Sequence, residues 1–351
     1  MTASAPDPTQ TAPADFSARV VQWQRTHGRS GLPWQATRDP YRVWLSEIML
    51  QQTQVATVLP YYARFLECFP DVQALAAAPQ DAVLGLWSGL GYYSRARNLH
   101  RCAQEVVAAH GGAFPREAAV LQSLPGIGRS TAAAIAAFCF DERVAILDGN
   151  VKRVLARVRA FGGDLARPSE ERALWDQAQE LVPAHPADMP AYTQGLMDLG
   201  ATVCTARAPT CLTCPVQDVC AGRLQGDPAR YPVRTRKLKR SALSLWLLHA
   251  QRADGAVWLE KRPQKGVWAG LYCLPVFDTD AALRAAVPAP VGLQDGAPFV
   301  HVLTHKDLHL HPVAAFFDSG MPAGPGSWVD ASRWPALGLP APVRKLLEAP
   351  G

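Results

Sequence analysis

Four of the eight cysteines crowd into one short window of the sequence. Cys204, Cys211, Cys214 and Cys220 follow the spacing C-x6-C-x2-C-x5-C. Four thiolates from one compact segment can surround a tetrahedral zinc ion or a cubane iron–sulfur cluster. A zinc ribbon usually offers two C-x2-C pairs, and this window holds one, so the spacing favours a cluster over zinc. Four free cysteines are the least favoured interpretation, and the absence of a secretory pattern argues against disulfides.

Two carboxyl groups stand in sequence contexts that suit acid–base chemistry. Glu47 lies within the apolar segment Val43–Leu50, where desolvation would raise its pKa and keep it protonated near neutrality, as a general acid requires. Asp148 precedes a basic helical segment, where it can cap the helix and stay ionised. If the fold brings the two together, they form the unequal pair that splits a glycosidic bond. The alternatives are a solvated glutamate on an amphipathic helix and a plain N-cap.

The segment Leu124–Thr131 reads LPGIGRST and is followed by a helix-forming run. The residues before it favour a helix rather than a strand, and no G-K-S/T follows, which argues against a dinucleotide fold and a P-loop. What remains is a helix, a Gly-rich hairpin and a second helix. Gly126 and Gly128 would let backbone N–H groups approach a phosphate, which makes a sequence-independent clamp for a nucleic-acid backbone. A tight helix–helix turn is the alternative interpretation.

The chain of 351 residues is long enough for two or three domains, and its composition of 48% hydrophobic and 19% charged residues excludes a disordered protein. We predict a disordered tail at residues 1–15, a helical domain at residues 16–225, a basic linker at residues 226–240 and a small α+β domain at residues 241–351. The formal net charge of +5 permits a polyanionic partner. No signal peptide or membrane segment is evident, so we expect a cytoplasmic protein, of bacterial origin, that meets DNA in the nucleoid.

Apolar residues at helical spacing, ended by Pro or Gly, predict the helices of the first part. These helices are Val43–Val58, Tyr61–Phe69, Asp81–Leu86, Ala96–Ala109, Arg116–Leu121, Arg129–Phe140, Asn150–Phe161 and Ala173–Leu181. Beyond Ser241 the pattern changes to strands, with a hairpin at Asp254–Gly255. The predicted strands are Ala242–His249, Ala256–Lys261, Gly270–Phe277, Phe299–Leu303, Leu308–Phe317 and Ser327–Val329, and two short helices are Ala281–Ala286 and Val343–Glu348.

Several motifs, in order, resemble the MutY-type adenine DNA glycosylases of the helix–hairpin–helix superfamily. The stretch Asp39–Val55 resembles their catalytic-glutamate helix, Leu124–Thr131 their hairpin, and Leu147–Val154 the segment with their aspartate. The four cysteines match the family's [4Fe-4S] loop, and Lys261–Pro275 resembles its Nudix-like C-terminal domain. The resemblance spans nearly everything from Phe16 to the end. It implies a mostly α catalytic region of two helical subdomains, followed by a small α+β Nudix-like domain.

The resemblance also implies roles for individual residues. Glu47 would protonate the adenine ring nitrogen N7, Asp148 would stabilise the oxocarbenium-like sugar, and Asn150 would help to order that site. Four residues would fill or wedge the space left by the extruded base: Gln52, Thr53, Leu90 and Tyr92. Two would line the adenine pocket, Trp34 and Gln194, and two occupy the loop position that contacts 8-oxoguanine, Thr304 and His305.

Three departures from the family pattern bear on these roles. Gln35 stands where relatives often have Arg, and Leu303 replaces the usual Phe of the lesion-contacting loop. Ser130, which we place among the substrate-contacting residues, occupies the hairpin position where endonuclease III enzymes have a catalytic lysine. Without that amine, no Schiff base with the sugar can form at this position.

The function that the resemblance implies is the hydrolysis of adenine from duplex DNA that contains A:8-oxoguanine or A:G mispairs. The base would be extruded, and the enzyme would be monofunctional and a monomer. The main alternative is an endonuclease III-like bifunctional glycosylase and lyase that acts on oxidised pyrimidines. A nucleotide pyrophosphatase is disfavoured because Phe277–Ala286 contains no glutamate, and a non-catalytic DNA sensor is disfavoured by the Glu47 and Asp148 pair.

Overall fold

The computed structural model describes residues 13–235, 240–288 and 291–349. Most of the predicted tail, residues 1–12, and the middle of the predicted linker, residues 236–239, lie outside the described residues. The chain divides into two compact units. The first comprises the chain up to Gln52, Asp71–Gln73 and Cys102–Lys237, and the second comprises Thr53–Pro70, Ala74–Arg101 and the chain from Leu238 onward.

Fourteen α-helices lie in the described part of the chain. They are α1 (Pro13–His27), α2 (Pro40–Leu50), α3 (Val55–Cys68), α4 (Val72–Ala77), α5 (Gln80–Leu86), α6 (Ser94–His110), α7 (Ala118–Leu121), α8 (Arg129–Phe140), α9 (Gly149–Val158), α10 (Pro168–Glu180), α11 (Met189–Asp198), α12 (Ala221–Leu224), α13 (Asp280–Ala285) and α14 (Ala341–Glu348). The eight strands are β1 (Ser241–Arg252), β2 (Val257–Lys261), β3 (Tyr272–Cys273), β4 (Val276–Phe277), β5 (Leu293–Asp295), β6 (Phe299–Val302), β7 (Lys306–Phe317) and β8 (Ser327–Val329).

The core of the first unit forms where α1, α8, α9, α10 and α11 bury their apolar faces. Helix α8 is buried on nearly every side, and its run Ala132–Ala137 contains only alanine side chains and one β-branched side chain, that of Ile135. Small side chains allow neighbouring helices to approach closely, so α8 serves as the central helix. It therefore provides a fixed support for the hairpin that precedes it and for the segment that leads to Asp148.

The second unit contains α3, α5, the part of α6 up to Arg101, and the sheet. The strands follow the order β3-β2-β1-β7-β5, with β4 on β1, β6 on β7 and β8 on β2. Strands β1 and β7 pair in parallel over twelve residues, from Ser241 opposite Lys306 to Arg252 opposite Phe317. Apolar side chains pack on both faces of this sheet, which explains why β1 carries a nearly continuous apolar run.

Most predicted elements are present, and two predictions were wrong. Helix α8 has the predicted bounds, and β1 and β2 form the predicted antiparallel hairpin. The predicted helix Val43–Val58 is interrupted, because α2 ends at Leu50 and α3 begins at Val55. Gln52 lies in this gap with a positive φ of 57°, which a continuing helix does not permit. The predicted strand Gly270–Phe277 consists of two short strands, β3 and β4.

None of the helices in the described part of the chain has the length and apolar character needed to cross a membrane.

Candidate active site

Glu47 lies on α2 and reaches a large cavity of the first unit. Asp39 caps this helix by accepting a hydrogen bond from the Tyr41 N–H at 3.0 Å, and Pro40 occupies the first turn. The cavity is open to solvent, has a volume of ≈ 470 Å³ and is lined by Glu47, Trp34 and Gln194 among others. A cavity of this size can hold a purine base. The structure thus brings the predicted acid and both predicted pocket residues to one space.

The electrostatic surroundings of Glu47 favour its protonated form. Its pKa is raised to about 7, chiefly by burial and secondly by the negative charge of Asp148. Both effects disfavour the ionised carboxylate. The prediction of a raised pKa is confirmed, and the contribution of Asp148 means that the two carboxyl groups lie close enough to interact although they are far apart in the sequence.

Asp148 is the N-cap of α9 and accepts a hydrogen bond from the Val151 N–H at 2.7 Å. Burial raises its pKa above the ordinary value, while the N–H groups of Val151 and Asn150 and the charges of Arg153 and Lys152 act in the opposite direction. The sequence interpretation counted only the stabilising effect of the cap. The structure adds the larger effect of burial, which works against the ionised form.

Asn150 connects the start of α9 with the cysteine-bearing segment through Arg153. The Arg153 guanidinium donates to Asn150 Oδ1 at 2.8 Å, to the Gly200 carbonyl at 2.6 Å and to the Cys204 carbonyl at 2.8 Å. Gly200 belongs to a π-helical turn, and a Cβ there would lie 2.7 Å from the Asn150 Cβ. Close packing of this kind requires glycine. Asn150 is therefore held from both sides, as an ordering residue next to Asp148 should be.

The hairpin between α7 and α8 has the predicted form. Leu124 and Ile127 are buried, whereas Gly126 and Gly128 are exposed, and Gly126 has a φ of 78° that favours glycine. Ser130, in the first turn of α8, accepts a hydrogen bond from the Leu147 N–H at 3.1 Å through its Oγ. Its hydroxyl thus fixes the residue immediately before Asp148, a contact that the sequence did not indicate.

The polar wall of the cavity includes residues that sequence reasoning missed. Arg29 lines the cavity beside Gln194, and both bond to the carboxylate of Asp198, which is 0% exposed. Gln35, one of the departures from the family pattern, uses its amide locally: Oε1 accepts from the Leu32 N–H and Nε2 donates to the Arg29 carbonyl. The only sequence signal was a charged residue, Asp198, inside an apolar helix.

In the second unit, Arg95 forms hydrogen bonds with two of the segments predicted to wedge into DNA, one at Thr53 and one at Leu90 and Gly91. Its guanidinium donates at 3.2 Å to Thr53 Oγ1 and to the carbonyls of Leu90 and Gly91. Leu90 is buried, whereas Tyr92 is 45% exposed and has a φ of 48°. This backbone conformation is uncommon for a residue other than glycine. Gln52 belongs to the first unit and is exposed.

The predicted lesion-contacting loop joins β6 to β7 in the second unit. Leu303 N–H donates to the Lys306 carbonyl at 2.8 Å, and the His305 carbonyl accepts from the Ser241 N–H at 3.1 Å. Thr304 Oγ1 lies 2.9 Å from Tyr92 Oη, in a hydrogen bond between two hydroxyl groups. The structure therefore brings Tyr92 and Thr304 together, two residues that the sequence separates widely.

The four cysteines of the window line one further cavity of the first unit. Cys204, Cys211, Cys214 and Cys220 are all among the residues that line it. The Arg157 guanidinium donates to Cys204 Sγ at 3.3 Å. Among the residues that the structure describes, no three His, Cys, Asp or Glu side chains are arranged to hold a single metal ion.

Comparison with known proteins defines the class and then the family. A model of the HhH-GPD superfamily of base excision DNA repair proteins matches residues 45–180, and a NUDIX domain model matches residues 246–349. The chain is thus a base excision DNA repair protein with a Nudix-like C-terminal domain, and it binds DNA. The adenine DNA glycosylase of Buchnera aphidicola subsp. Acyrthosiphon pisum is 34% identical over 344 residues, which cover 95% of this chain and 97% of that protein. The chain belongs to the adenine DNA glycosylases and hydrolyses the N-glycosidic bond of adenine.

Two further likenesses agree with this assignment. The adenine DNA glycosylase of Mus musculus is 43% identical over 267 residues, which cover 71% of this chain and 51% of that protein. Among solved structures, a thermostable thymine-DNA glycosylase is 28% identical with a TM-score of 0.54, and the match covers 62% of this chain and 100% of that chain. The helical fold and the Nudix-like domain that the sequence predicted are both confirmed.

Proposed function

We propose that this enzyme removes adenine from A:8-oxoguanine and A:G mispairs in duplex DNA, by extruding the adenine and leaving the strand intact. The observation that carries the proposal is Glu47, a carboxyl group with a pKa of about 7 that lines a purine-sized cavity and is influenced by Asp148. We further propose that it works as a monomer in the bacterial cytoplasm, where its DNA substrate lies; the bacterial relatives support this assignment.

The two carboxyl groups would act in turn on the extruded nucleotide. Protonated Glu47 donates its proton to N7 of adenine, which turns the base into a neutral leaving group. As the bond to the sugar breaks, positive charge develops on the sugar, and ionised Asp148 stabilises it. Asn150 keeps the start of α9 in place during this step through its hydrogen bond with Arg153. Water then completes the displacement and leaves an abasic site.

We propose contacts outside the catalytic pair as follows. Gly126 and Gly128 present the hairpin backbone to a DNA phosphate, as their exposure permits. Gln52, Thr53, Leu90 and Tyr92 fill the space that the extruded base leaves in the duplex, and Trp34 and Gln194 line the adenine pocket. Ser130 supports the substrate site by holding the residue before Asp148 in place, because its Oγ accepts a hydrogen bond from the Leu147 N–H.

The residues near Asp148 favour a monofunctional enzyme. Strand cleavage by a glycosylase requires an amine that forms a Schiff base with the sugar. Ser130 has a hydroxyl group at the relevant hairpin position, and Lys152 forms an ion pair with Glu171. Neither residue therefore offers a free amine to the sugar carbon.

The product of the reaction tests this proposal. We expect an end-labelled A:8-oxoguanine duplex to yield fragments only after hot alkali, because the enzyme leaves an intact strand with an abasic site. Borohydride should trap little covalent complex. Nicking that keeps pace with base release without alkali, together with efficient trapping, would contradict the monofunctional mechanism and favour the endonuclease III-like alternative.

We propose that the cysteine window holds a [4Fe-4S] cluster. Four cysteines surround a cavity with apolar walls, including Val154 and Leu199, which suits a multi-atom cluster. A single tetrahedral zinc ion would instead need its sulfurs converged to about 3.8 Å from one another, given Zn–S bonds of ~2.3 Å. The cluster would cross-link the loop and supply a redox-active group.

The cluster proposal predicts a coloured protein. Purified in air, the wild-type protein should be brown, with broad visible absorption and about four iron atoms per chain. Cys214→Ser should lower the iron content, and it should lower the DNA affinity because the loop loses the cluster that cross-links it. Cys68→Ser, at an exposed cysteine outside the window, should leave both the iron content and the DNA affinity unchanged. A colourless, active protein that carries one zinc ion would overturn the proposal.

We propose that Thr304 and His305 read the base opposite adenine. The Tyr92–Thr304 hydrogen bond joins the proposed wedge to the proposed lesion-reading loop within one unit, so contact with the lesion and opening of the duplex would be linked.

The valine variant Thr304→Val removes the hydroxyl group while keeping the side-chain volume. We expect the ratio of excision rates on A:8-oxoguanine and A:G to fall about tenfold, in the range of one lost base contact. Val300→Ala, at an exposed position of β6, is the control and should leave the ratio unchanged. An unchanged ratio in Thr304→Val would remove Thr304 from the lesion-reading role.

A further inference from the structure

The turn that carries Tyr92 has a backbone conformation that needs support from its surroundings. Gly91 and Tyr92 have positive φ angles of 72° and 48°. A residue other than glycine keeps such a conformation only where neighbouring contacts hold it. Because the Tyr92 side chain is 45% exposed, those contacts have to come from the protein side of the turn.

Arg95 supports this turn from the protein interior. It belongs to the first turn of α6 and is 7% exposed. Its Nη2 group donates hydrogen bonds at 3.2 Å to the carbonyls of Leu90 and Gly91, and Trp87 Nε1 donates to the same Gly91 carbonyl at 3.1 Å. Hydrogen bonds from a charged donor are stronger than those between neutral groups. The two carbonyls that precede Tyr92 are therefore held in place.

The Arg95 guanidinium also lies over two aromatic rings. Its central carbon is 5.2 Å from the centroid of the Trp87 ring and 5.5 Å from that of the Tyr92 ring, within the range of a cation–π interaction. Burial lowers the pKa of Arg95 to about 10, so the guanidinium stays charged at neutral pH. Its contact with the Tyr92 ring restricts the rotamers of this partly exposed side chain.

We propose that Arg95 is a positioning residue that holds the Tyr92 ring ready to enter the duplex, so that extrusion of adenine meets a preformed wedge. A side chain that is already ordered loses little conformational freedom when it inserts. Loss of Arg95 should therefore slow the extrusion of the base and leave the cleavage of the glycosidic bond at Glu47 unchanged. The inference deepens the proposed function and rests on Tyr92 filling the space that adenine leaves.

Arg95→Lys tests this role, because lysine keeps the charge but has neither the planar fork nor the delocalised cation of arginine. Single-turnover release is measured from two duplexes, one with adenine opposite 8-oxoguanine and one with adenine opposite an abasic-site analogue. Adenine without a pairing partner leaves the stack at a lower cost, so its release depends less on the wedge. Arg252→Lys is the matched control, because the Arg252 guanidinium also lies over an aromatic ring, that of Trp328, at 5.5 Å.

The expected result is a loss that depends on the duplex. Arg95→Lys should slow release opposite 8-oxoguanine about tenfold, the effect of one desolvated cation–π contact, and release opposite the abasic-site analogue by less than ~3-fold. The pH at which the rate declines should stay the same, because Glu47 is not affected, and Arg252→Lys should match the wild type on both duplexes. Equal slowing on both duplexes, or a shifted pH of decline, would overturn the inference. A wild-type enzyme that releases no adenine from either duplex would instead contradict the proposed function itself.

A double-mutant cycle shows whether Arg95 acts through Tyr92. In a Tyr92→Ala background, Arg95→Lys should slow release opposite 8-oxoguanine by less than ~3-fold, because no ring remains to be held. In a Tyr92→Phe background, which keeps the ring and loses only the hydroxyl bond to Thr304, it should still slow release about tenfold. Additive effects in the alanine background would show that Arg95 is merely structural.

If Arg95→Lys does not fold, the same contact can be tested with Arg95 in place. A trifluorinated phenylalanine at position 92 is compared with Tyr92→Phe. The fluorine atoms withdraw electron density from the face of the ring and weaken a cation–π contact, while the ring keeps its apolar shape. Release opposite 8-oxoguanine should be slower with the fluorinated ring, and a rate that is unchanged or higher would overturn the inference.

Discussion

Replacing Glu47 with glutamine is expected to slow single-turnover adenine release by ~10²-fold or more, the range that a general acid contributes. Glutamine keeps the volume and most of the polarity of glutamate, but it cannot deliver a proton to the departing base. Binding to the mispaired duplex should persist, because the substitution leaves the shape of the cavity and the hairpin that we propose to contact DNA unchanged. Release within tenfold of the wild-type rate would show that another group is the acid.

If Glu47 is the general acid, the rate of adenine release by the wild-type enzyme should depend on pH. The pKa of Glu47 is about 7, so the fraction that carries the required proton falls as the pH rises through that value. The rate should decline above pH 7 by up to tenfold per pH unit. Glu47→Gln should lack this decline.

The same raised pKa has a consequence for stability. A carboxyl group whose pKa is higher in the folded state contributes stability below its unfolded pKa and loses that contribution as the pH rises through the folded value. Between the unfolded value of 4.5 and about 7, the wild-type protein should therefore become less stable by about 3 kcal/mol. Glutamine does not titrate, so Glu47→Gln should melt at a higher temperature than the wild-type protein at pH 8 and at a similar temperature at pH 4.5.

Replacing Asp148 with asparagine should also have a large effect, about 10²- to 10³-fold on adenine release. The loss follows from removal of the negative charge that stabilises the developing cation on the sugar. Asparagine caps helices as well as aspartate does, so the hydrogen bond to the Val151 N–H can be kept and the melting temperature should change little. Single-turnover kinetics and thermal unfolding together separate the two roles of this residue.

A second readout distinguishes Asp148 from a merely structural residue. Its charge is one of the two causes of the raised pKa of Glu47. The residual activity of Asp148→Asn should therefore decline at a lower pH than that of the wild-type enzyme. A decline at an unchanged pH, with a rate within tenfold of wild type, would contradict the pairing of the two carboxyl groups.

Local signals in the sequence were sufficient for several elements of the fold. Pro125 and the glycines of the hairpin mark the start of α8, and the alanine-rich run that follows favours a helix, so its bounds could be predicted. Asp148 was predicted as an N-cap, which the structure confirms. The gap between α2 and α3 was missed because Gln51–Gln54 contains neither Pro nor Gly, and helical periodicity continues across it. Gln52 in this gap has a positive φ, which no local signal in the sequence indicates.

The polar wall of the cavity could not be predicted, because its contacts join distant parts of the chain. Arg29 and Asp198 are 169 residues apart, yet they form an ion pair at 2.7 Å. Charge patterning identifies pairs three or four residues apart on one helix and carries no information about partners at this separation. The bond between Ser130 and Leu147 and the contact between Tyr92 and Thr304 were missed for the same reason.

The most direct test of the proposed function is a comparison of base release from four duplexes under single-turnover conditions. The duplexes contain A:8-oxoguanine, A:G, G:T or an oxidised pyrimidine, and the released base is identified chromatographically, with Glu47→Gln as the matched control. We expect free adenine from the first two duplexes, no base from the others, and at least a ~10²-fold slower release with Glu47→Gln. Release of the oxidised pyrimidine or of thymine with adenine left in place, or adenine release that does not depend on Glu47, would contradict it.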